Sequence, residues 1–336
     1  MSKHYLNPLF APSSVAVFGA SDRPDSVGQI VFQNMLESGF HGSLYPINPK
    51  HPEIQGKRAY ASITEINEPV GLAVIATPPQ TVPGIIERCG IHGVKAAIII
   101  TAGFGETGHG GAALERELLE TARRYGVRVI GPNCLGIMRP AIGLDATFNR
   151  GGAKSGNIAF VSQSGALCTA ILDWAQSNDV GFSSIVSMGS SIDIDFGEIL
   201  DYLVSDASTR SILMYIEGIR NARSFMSALR AAARAKPVIL VKVGRHAAAA
   251  KAALSHTASL VGADDVFNAA VSRAGAVRVQ TITQLFTAAK ALSCGFCPVG
   301  SRLAIVTNGG GPGVMATDCA VDLGLPMAGL SDVNMA

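Results

Sequence analysis

The sequence is poor in charged residues, and the two signs nearly cancel. Charged residues make up 15% of the 336 residues, and 27 Lys and Arg against 25 Asp and Glu leave a formal net charge of +2. No block of Lys and Arg with interleaved aromatic residues occurs, so a nucleic-acid-binding surface is not expected. Hydrophobic residues make up 48% of the chain, which is enough for a sizeable core and excludes a disordered protein.

Long hydrophobic runs are also missing. No apolar run reaches the roughly 18 residues that a transmembrane helix requires, and residues 1–8 lack the apolar core of a signal peptide. We therefore expect a cytoplasmic protein that does not enter a membrane.

The six cysteines form no disulfide framework. The pair Cys294 and Cys297 has Cys-x-x-Cys spacing, which alone is weak evidence for zinc or redox chemistry. Reduced thiols are the default in the cytosol, and nothing near Cys134 in sequence would lower the pKa of its thiol. No metal site is predicted.

Glycine, by contrast, is abundant, with 37 residues, and short apolar runs alternate with helical patterns. Continuous apolar character is typical of strands that are buried on both faces, as in parallel sheets. The alternation predicts a doubly wound α/β domain over residues 1–148. The runs lie at residues 14–18, 43–48, 72–76, 96–100 and 127–130.

A second series of strands predicts a second parallel α/β domain over residues 149–296. Residues 302–307 then form one more strand pattern, followed by a Gly-rich turn and a helical stretch over residues 314–323. One βα unit cannot bury its own faces. We therefore interpret residues 297–336 as the start of a third domain and expect the chain to be part of a longer protein. The second series comprises residues 157–161, 182–186, 211–216 and 237–242.

The first strand ends in Gly19-Ala20-Ser21, and a helical stretch follows. Such a turn presents backbone N–H groups and the positive end of a helix dipole to an anion, which suits a nucleotide or its pyrophosphate. An NAD site is disfavoured, because Gly-x-Gly-x-x-Gly is absent and the second strand ends in Asn48-Pro49-Lys50 rather than in an acidic residue. Lys50 suits a phosphate better than a ribose diol. The alternative is that these glycines only form turns.

Two further strand ends carry polar residues. Ser162-Gln163-Ser164-Gly165 lies between a strand and a helix, where its hydroxyls form either a phosphate seat or an ordinary helix cap. Glu217 follows the strand at residues 211–216. A carboxylate there can fix the tautomer of a histidine and stabilise its charged form, and the alternative is a surface glutamate.

His256 lies between Ser255 and Thr257, after a run of small residues at 247–250. Other groups can approach such a backbone closely, and an imidazole there can act as a nucleophile or a proton shuttle. However, one histidine among seven is more often simply solvated or hydrogen-bonded in place. The local pattern leaves both interpretations open.

Eight short motifs occur in an order that is typical of one superfamily. The chain resembles, over essentially its whole length, the α part of the NDP-forming acyl-CoA synthetases, which include succinyl-CoA synthetase and ADP-forming acetyl-CoA synthetase. The motifs are Gly19-Ala20-Ser21, Asn48-Pro49, Ala76-Thr77-Pro78-Pro79, Thr101-Ala102-Gly103-Phe104, Gly131-Pro132-Asn133-Cys134-Leu135-Gly136, Ser162-Gln163-Ser164-Gly165, Tyr215-Ile216-Glu217-Gly218 and Ser255-His256-Thr257.

The resemblance implies a Rossmann-like domain that binds coenzyme A, a flavodoxin-like ligase domain and the start of a second ligase-type α/β domain. It also implies that His256 is phosphorylated during turnover and that Glu217 orients it. The phosphate would be held by Ser162, Ser164 and Gly165. The phosphates of coenzyme A would lie near Gly19, Ala20, Ser21 and Lys50, and its thiol arm would lie along Thr77, Pro78, Pro79, Gly103, Phe104 and Asn133.

The implied reaction starts from an acyl-CoA, with acetyl-CoA expected, and phosphate, which give acyl phosphate and CoA. The phosphate then moves to His256 and on to ADP, and every step is reversible. The ATP-grasp module that would bind ADP or ATP with Mg²⁺ is missing from the 336 residues. We therefore expect a β subunit or a fused C-terminal domain to supply it, and we expect an oligomer.

One residue departs from the family pattern, and one relative offers an alternative. Ala258 stands where the family has a glycine two residues after the histidine. The alternative is the matching module of bacterial protein lysine acetyltransferases, which senses acetyl-CoA and often lacks the histidine. The presence of His256 favours the ligase.

Overall fold

The computed structural model describes residues 4–245, 264–295, 299–329 and 331. The chain divides into two compact units, Met1–Ser293 and Cys294–Ala336. Both strand series predicted from the sequence lie in the first unit. The domain limits 1–148, 149–296 and 297–336 stay predictions.

The first sheet has five parallel strands in the order β2-β1-β5-β6-β7. The chain turns from one side of β1 to the other between β2 and β5, and ligands of open α/β sheets bind at the carboxyl ends of strands beside such a switch point. The strands up to this point in the chain are β1 (Ser14–Phe18), β2 (Ser43–Ile47), a small hairpin of β3 (Glu53–Ile54) and β4 (Lys57–Arg58), β5 (Leu72–Ile75), β6 (Ala96–Ile99) and β7 (Arg128–Ile130).

Helices cover both faces of this sheet, because alternate residues of each strand point to opposite sides. Val15 and Val17 of β1 point into the apolar cluster that contains α2, and Ala16 and Phe18 point into the cluster that contains α3 and α4. These helices are α1 (Asn7–Phe10), α2 (Val27–Glu37), α3 (Val82–Ile91) and α4 (His109–Tyr125), with short 3₁₀ turns at Ile63–Glu65, Pro79–Thr81, Gly105–Thr107 and Pro140–Ile142. The predicted doubly wound domain is confirmed.

The second sheet has seven strands in the order β14-β13-β12-β10-β11-β8-β9. Strands β10 to β14 are mutually parallel, whereas β8 pairs antiparallel with β11 and β9 pairs antiparallel with β8. The sheet is therefore mixed rather than purely parallel. The strands are β8 (Gly136–Arg139), β9 (Leu144–Thr147), β10 (Ser155–Ser162), β11 (Phe182–Ser187), β12 (Ser211–Ile216), β13 (Val238–Lys242) and β14 (Val277–Val279).

Helices also cover both faces of the second sheet. Helices α6, α7 and α8 contribute to an apolar cluster that also contains residues of the first sheet, and α5 and α9 pack on the opposite face. The shared cluster explains why the two sheets form one unit. The helices are α5 (Gly165–Asn178), α6 (Phe196–Ser205), α7 (Ala222–Ala235), α8 (Asp264–Ala274) and α9 (Ile282–Ser293).

The second unit contains the helix α10 (Gly310–Asp322), which confirms the predicted helix and starts four residues before it. The strand predicted over residues 302–307 is only a single bridge between Leu303 and Met327. A strand needs a partner along its length to satisfy its backbone, and the described part of this unit supplies one for a single residue pair.

Among the described residues, no helix combines the length and the apolar character that crossing a bilayer requires. The same residues bring no three His, Cys, Asp or Glu together in a way that could hold a metal ion. Of the Cys-x-x-Cys pair, Cys294 is exposed and Cys297 lies outside the described residues.

A backbone seam, formed by residues 129–135 against residues 187–194, joins the two sheets. Leu135 N–H donates to Ser187 Oγ at 2.9 Å. Gly189 has a φ of +55°, and a Cβ there would stand 2.3 Å from the carbonyl oxygen of Pro132, so only glycine fits. Amides of Ile194, Ile192 and Ser190 donate to carbonyls of Val129, Gly131 and Pro132 at 3.2, 3.2 and 2.9 Å.

Arg139, the last residue of β8, carries a buried positive charge beside the helix α1. Its guanidinium donates to both carboxylate oxygens of Asp206, at 3.0 and 3.1 Å, and to Tyr202 Oη at 2.9 Å. It also donates to the carbonyl oxygen of Phe10, so it links α1 to the end of α6. The side chains of Arg139 and Asp206 are only 9% and 10% exposed.

We predict that Arg139→Met destabilises the protein by about 3 kcal/mol, because it leaves a buried carboxylate without its partner. The denaturation midpoint at neutral pH measures this loss. Lys154→Met is the matched control, since it breaks the Lys154–Asp179 pair, whose side chains are 61% and 85% exposed, and an exposed pair contributes about 1 kcal/mol or less. Equal losses in the two variants would contradict the prediction.

The difference between the wild type and Arg139→Met should also depend on pH. Burial raises the pKa of Asp206, but Arg139 and the hydroxyls of Thr209 and Ser208 outweigh it and bring the pKa below its usual value of 3.8. A lowered folded-state pKa contributes stability that is present above pH 3.8 and is lost as the pH falls through the lowered value. In Arg139→Met, burial acts on Asp206 without the guanidinium, so the folded-state pKa of this carboxyl lies higher than in the wild type. The stability advantage of the wild type should therefore shrink as the pH falls from the pKa of Asp206 in the variant to its lowered pKa in the wild type.

Candidate functional site

The carboxyl ends of strands from both sheets border one cavity of about 610 Å³, which we call the central cavity. Its lining combines the turns after β5, β6 and β7 with those after β10, β11 and β12. These residues are Ala76, Thr77, Ile100, Thr101, Ala102, Asn133, Cys134 and Leu135 on one side, Gln163, Ser164, Gly165, Ala166, Thr169, Gly189, Ser190 and Glu217 on the other, and Val27 and Phe148.

A second cavity, of about 700 Å³, lies at the carboxyl ends of β1, β2 and β5, and we call it the side cavity. Thr77 lines both cavities, so they adjoin at the end of β5. The side cavity is lined by Phe18, Gly19, Ile47, Asn48, Pro49, Lys50, Ala61, Ser62, Thr77, Pro78, Thr81, Ile85 and Arg88.

The amide of Gln163 fixes the turn that carries Glu217. Its Oε1 accepts the N–H groups of Glu217 and Gly218 at 2.6 and 3.0 Å, and its Nε2 donates to the Gly218 carbonyl at 3.0 Å. These three bonds join the ends of the adjacent strands β10 and β12. Burial, together with the negative charge of Glu217, raises the pKa of the neighbouring Tyr215 to about 12, so that phenol stays protonated at neutral pH.

The helix α5 begins at the wall of the central cavity. Ser164 is its N-cap, and its Oγ accepts the Leu167 N–H at 3.3 Å. Ser162 Oγ accepts the Ser164 N–H at 3.0 Å and donates to the Ser164 carbonyl at 2.9 Å. The hydroxyl of Ser162 is therefore used inside the turn, and the positive end of the helix dipole reaches the cavity through Gly165.

The helix α2 packs closely against the first glycine turn. A Cβ on Gly28 would stand 1.8 Å from the carbonyl oxygen of Gly19, so glycine is required at this contact. Asn48 Nδ2 donates to the Ala20 carbonyl at 2.9 Å, and Asn48 Oδ1 accepts the Lys50 N–H at 2.8 Å. These bonds hold the turns after β1 and β2 together and position Lys50 at the rim of the side cavity.

The two cavities differ in charge. Among the described residues that line the side cavity, Lys50 and Arg88 are cationic and no carboxylate occurs. Among those that line the central cavity, Glu217 is the one side chain that is charged at neutral pH. An anionic ligand part is therefore favoured in the side cavity.

Two family models match the first unit. Residues 13–140 match a CoA binding domain, and residues 155–292 match a succinyl-CoA ligase-like flavodoxin domain. The chain is 44% identical to the α subunit of ADP-forming acetate–CoA ligase I of Pyrococcus furiosus, over 95% of this chain and 70% of that subunit. The chain belongs to the ADP-forming acyl-CoA ligase family.

Longer relatives and a solved structure agree with this membership. The single-chain ADP-forming acetate–CoA ligase I of Archaeoglobus fulgidus is 44% identical over 96% of this chain, which spans 47% of the relative. An acetyl-coenzyme A synthetase of Candidatus Korarchaeum cryptofilum, solved with phosphate and ADP, superimposes with a TM-score of 0.93 at 40% identity. That match covers 97% of this chain and 70% of the solved one. The recognition of the superfamily from its motifs is confirmed.

The structure of this ligase-family chain brings together part of the predicted site. Four of the predicted coenzyme A residues line the side cavity, namely Gly19, Lys50, Thr77 and Pro78. Five predicted residues line the central cavity, namely Thr77, Asn133, Ser164, Gly165 and Glu217. His256 lies outside the described residues. The roles assigned to all of these residues stay predictions.

Six predicted residues line neither cavity, namely Ala20, Ser21, Pro79, Gly103, Phe104 and Ser162. Phe104 is fully buried in the core and Ser162 is buried inside its own turn. Gly103 donates its N–H to Glu106 Oε1 at 2.6 Å, and a Cβ on Gly103 would stand 2.9 Å from the ring of Pro79. Ala20 is buried, and Ser21 Oγ accepts the Arg23 N–H at 3.0 Å.

Three residues that line the cavities were not predicted as site residues from the sequence, namely Arg88 in the side cavity and Phe148 and Gln163 in the central cavity. Arg88 lies on the exposed side of α3 and belongs to none of the eight motifs. Phe148 follows β9, outside any motif. Gln163 belongs to a motif that we did recognise, but only the structure reveals its contact with the Glu217 turn.

We predict that Cys134 is unreactive in the native protein although it lines the central cavity. Burial raises the pKa of Cys89, Cys134 and Cys168 each to about 12. At pH 8 such a thiol is only about one ten-thousandth thiolate, and the thiolate is the nucleophile. Iodoacetamide followed by peptide mapping should label the exposed Cys294 and Cys319, and the three buried thiols only after denaturation. Labelling of Cys134 in the native protein would contradict this.

Proposed function

We propose that this chain is the α-type part of an ADP-forming acyl-CoA ligase, and that it carries phosphate on His256. The observation that carries the proposal is the junction of the two cavities at Thr77. A ligand whose anionic nucleotide lies in the side cavity can extend past Thr77 into the central cavity. Coenzyme A has this construction, with a phosphorylated nucleotide at one end and a thiol at the other.

The side cavity suits the nucleotide end. Lys50 and Arg88 supply two positive charges, and Pro49, Pro78 and Ile85 supply apolar surface for a base. The position agrees with the general rule that open α/β sheets bind ligands at carboxyl strand ends beside the switch point.

The central cavity suits the reacting groups. The N-terminal residues of two helices line it, Val27 of α2 and Gly165 of α5, and helix N-termini favour bound anions such as phosphate. Phosphate attacks the acyl carbonyl, the carbon–sulfur bond breaks, and acyl phosphate and CoA form. An imidazole nitrogen of His256 then attacks phosphorus, and the carboxylate leaves as the oxygen–phosphorus bond breaks. Transfer of the phosphoryl group to ADP regenerates the imidazole.

The chain that leads into the segment containing His256 passes beside the Glu217 turn in the sheet, and the chain that follows the segment returns to the neighbouring strand β14. Lys242 of β13 pairs with Ile216, the residue before Glu217, and Val243 N–H donates to the Ile216 carbonyl at 3.0 Å. On the other side of the segment, Asp264 pairs with Arg278 of β14 at 2.6 Å. This connectivity supports the proposal that Glu217 orients His256 and stabilises its charged form.

The nucleotide step is proposed for a second component. An ATP-grasp β subunit, or a fused domain, would bind ADP or ATP with Mg²⁺, and we place the assembled oligomer in the cytoplasm. The sensor module of a protein lysine acetyltransferase is not favoured, because the relatives with 44% identity to this chain are ligases.

We predict that Lys50→Ala weakens CoA binding about tenfold, because a hydrogen bond to a charged group contributes about 1.5–3 kcal/mol. Titration calorimetry with CoA measures the change. Lys57→Ala removes the same charge from the exposed strand β4 and should leave the dissociation constant within about twofold. Equal effects of the two variants would show that Lys50 has no specific role.

We predict that the wild type, with its ATP-grasp partner, acetyl-CoA and radiolabelled phosphate, acquires acid-labile label, and that His256→Asn abolishes it. His109→Asn is the control, because His109 is exposed and lines neither cavity. Both variants should still bind CoA. Label that persists in His256→Asn would exclude His256 as the carrier, and CoA binding without any phosphorylation of the wild type would favour a sensor.

A further inference from the structure

One end of the central cavity is apolar. It is formed by Val27, Leu135, Phe148, Ala166 and Thr169, of which the threonine alone carries a polar atom in its side chain. Val27 and Phe148 come from distant parts of the sequence, and their neighbours Asp25 and Arg150 form an ion pair. The helix start at Val27 and the chain after β9 are therefore adjacent.

Phe148 is held in place by its surroundings. Its N–H donates to the Leu135 carbonyl at 3.4 Å. The residues on either side of it are also held, because Asn34 Nδ2 donates to the carbonyls of Thr147 and Asn149, each at 2.8 Å. The partly buried ring packs against two of the apolar clusters. A side chain fixed in this way can limit the size of a ligand group beside it.

The side chains of this end are almost entirely hydrocarbon, with the hydroxyl of Thr169 as the single polar group among the five. Such a surface gains free energy when it is covered by another apolar group. The apolar end therefore suits a hydrocarbon group.

We propose that this apolar end binds the acyl group of the acyl-CoA and that Phe148 sets the length of acyl chain that fits. The inference rests on the proposed function, since it places the thioester in the central cavity. It adds a residue that determines specificity for the length of the acyl chain.

The test compares Phe148→Ala with the wild type in titrations with CoA, acetyl-CoA and hexanoyl-CoA. The ratio of the hexanoyl-CoA to the acetyl-CoA dissociation constant should fall about tenfold in the variant, since a methylene group that does or does not fit an apolar pocket changes discrimination by about tenfold or more. Affinity for CoA itself should stay within about twofold.

Phe286→Ala is the matched control. Phe286 is a partly buried aromatic residue that packs on Trp174, with ring centroids 5.1 Å apart, and it lines neither cavity. It should leave the ratio unchanged. Thr169→Leu should act in the opposite direction and raise the ratio, because it narrows the same end. If Phe148→Ala does not fold, Phe148→Leu provides the same comparison with a smaller change.

The outcomes separate the two proposals. Intact CoA binding with an unchanged ratio in Phe148→Ala and Thr169→Leu would overturn the role of Phe148 and leave the proposed function in place. Failure of the wild type to bind CoA would overturn both.

Discussion

The site depends on the backbone seam between residues 129–135 and residues 187–194. Parallel sheets offer ligands the carboxyl ends of their strands, but two sheets that merely share a chain need not point those ends at each other. Across the seam, every second amide from Ser190 to Ile194 donates to a carbonyl of the facing segment, and only glycine permits the close approach at position 189. These contacts fix the turn after β7 against the turn after β11. Asn133 and Ser190 consequently face one cavity.

Charge is then distributed by the way each turn is held rather than by composition. The net charge of the chain is close to neutral, yet the side cavity gathers two cations and the central cavity one carboxylate among their described lining residues. The Asn48 bonds bring Lys50 to one rim, and the Gln163 amide fixes Glu217 at the other. The cations of the side cavity suit the anionic end of a ligand that extends into both cavities. In the central cavity it is the helix starts at Val27 and Gly165, rather than Glu217, that favour a bound anion.

Local pattern predicted nine of the strands in the two sheets and the helix α10, because each of these depends on a few neighbouring residues. It was wrong at residues 302–307, where the structure has a single bridge. It could not predict which chemistry-bearing side chains reach a cavity. Ser162 and Ser164 are equivalent hydroxyls in sequence, but one closes its own turn and the other lines the cavity. Phe104 lies in a recognised motif and is a core residue. The antiparallel strand β8 was missed because its pairing with β11 depends on a partner 40 residues or more away along the chain. The strand β9 was missed with it, since β9 joins the sheet through β8.

The residue that we propose to select the acyl group lies on a different part of the chain from the groups that we propose to react. It follows β9, whereas the latter follow the parallel strands. The groups proposed to react would be held by turns and helix starts at strand ends, and these are fixed by bonds such as those of Gln163 to the Glu217 turn. The apolar end is different, because Phe148 enters it from the connection that leaves β9, and its backbone is anchored by Asn34 and Leu135 through bonds that do not involve its ring. A change of side chain at this position can therefore alter the shape of the cavity while the seam, the glycine turns and the Glu217 turn remain as they are.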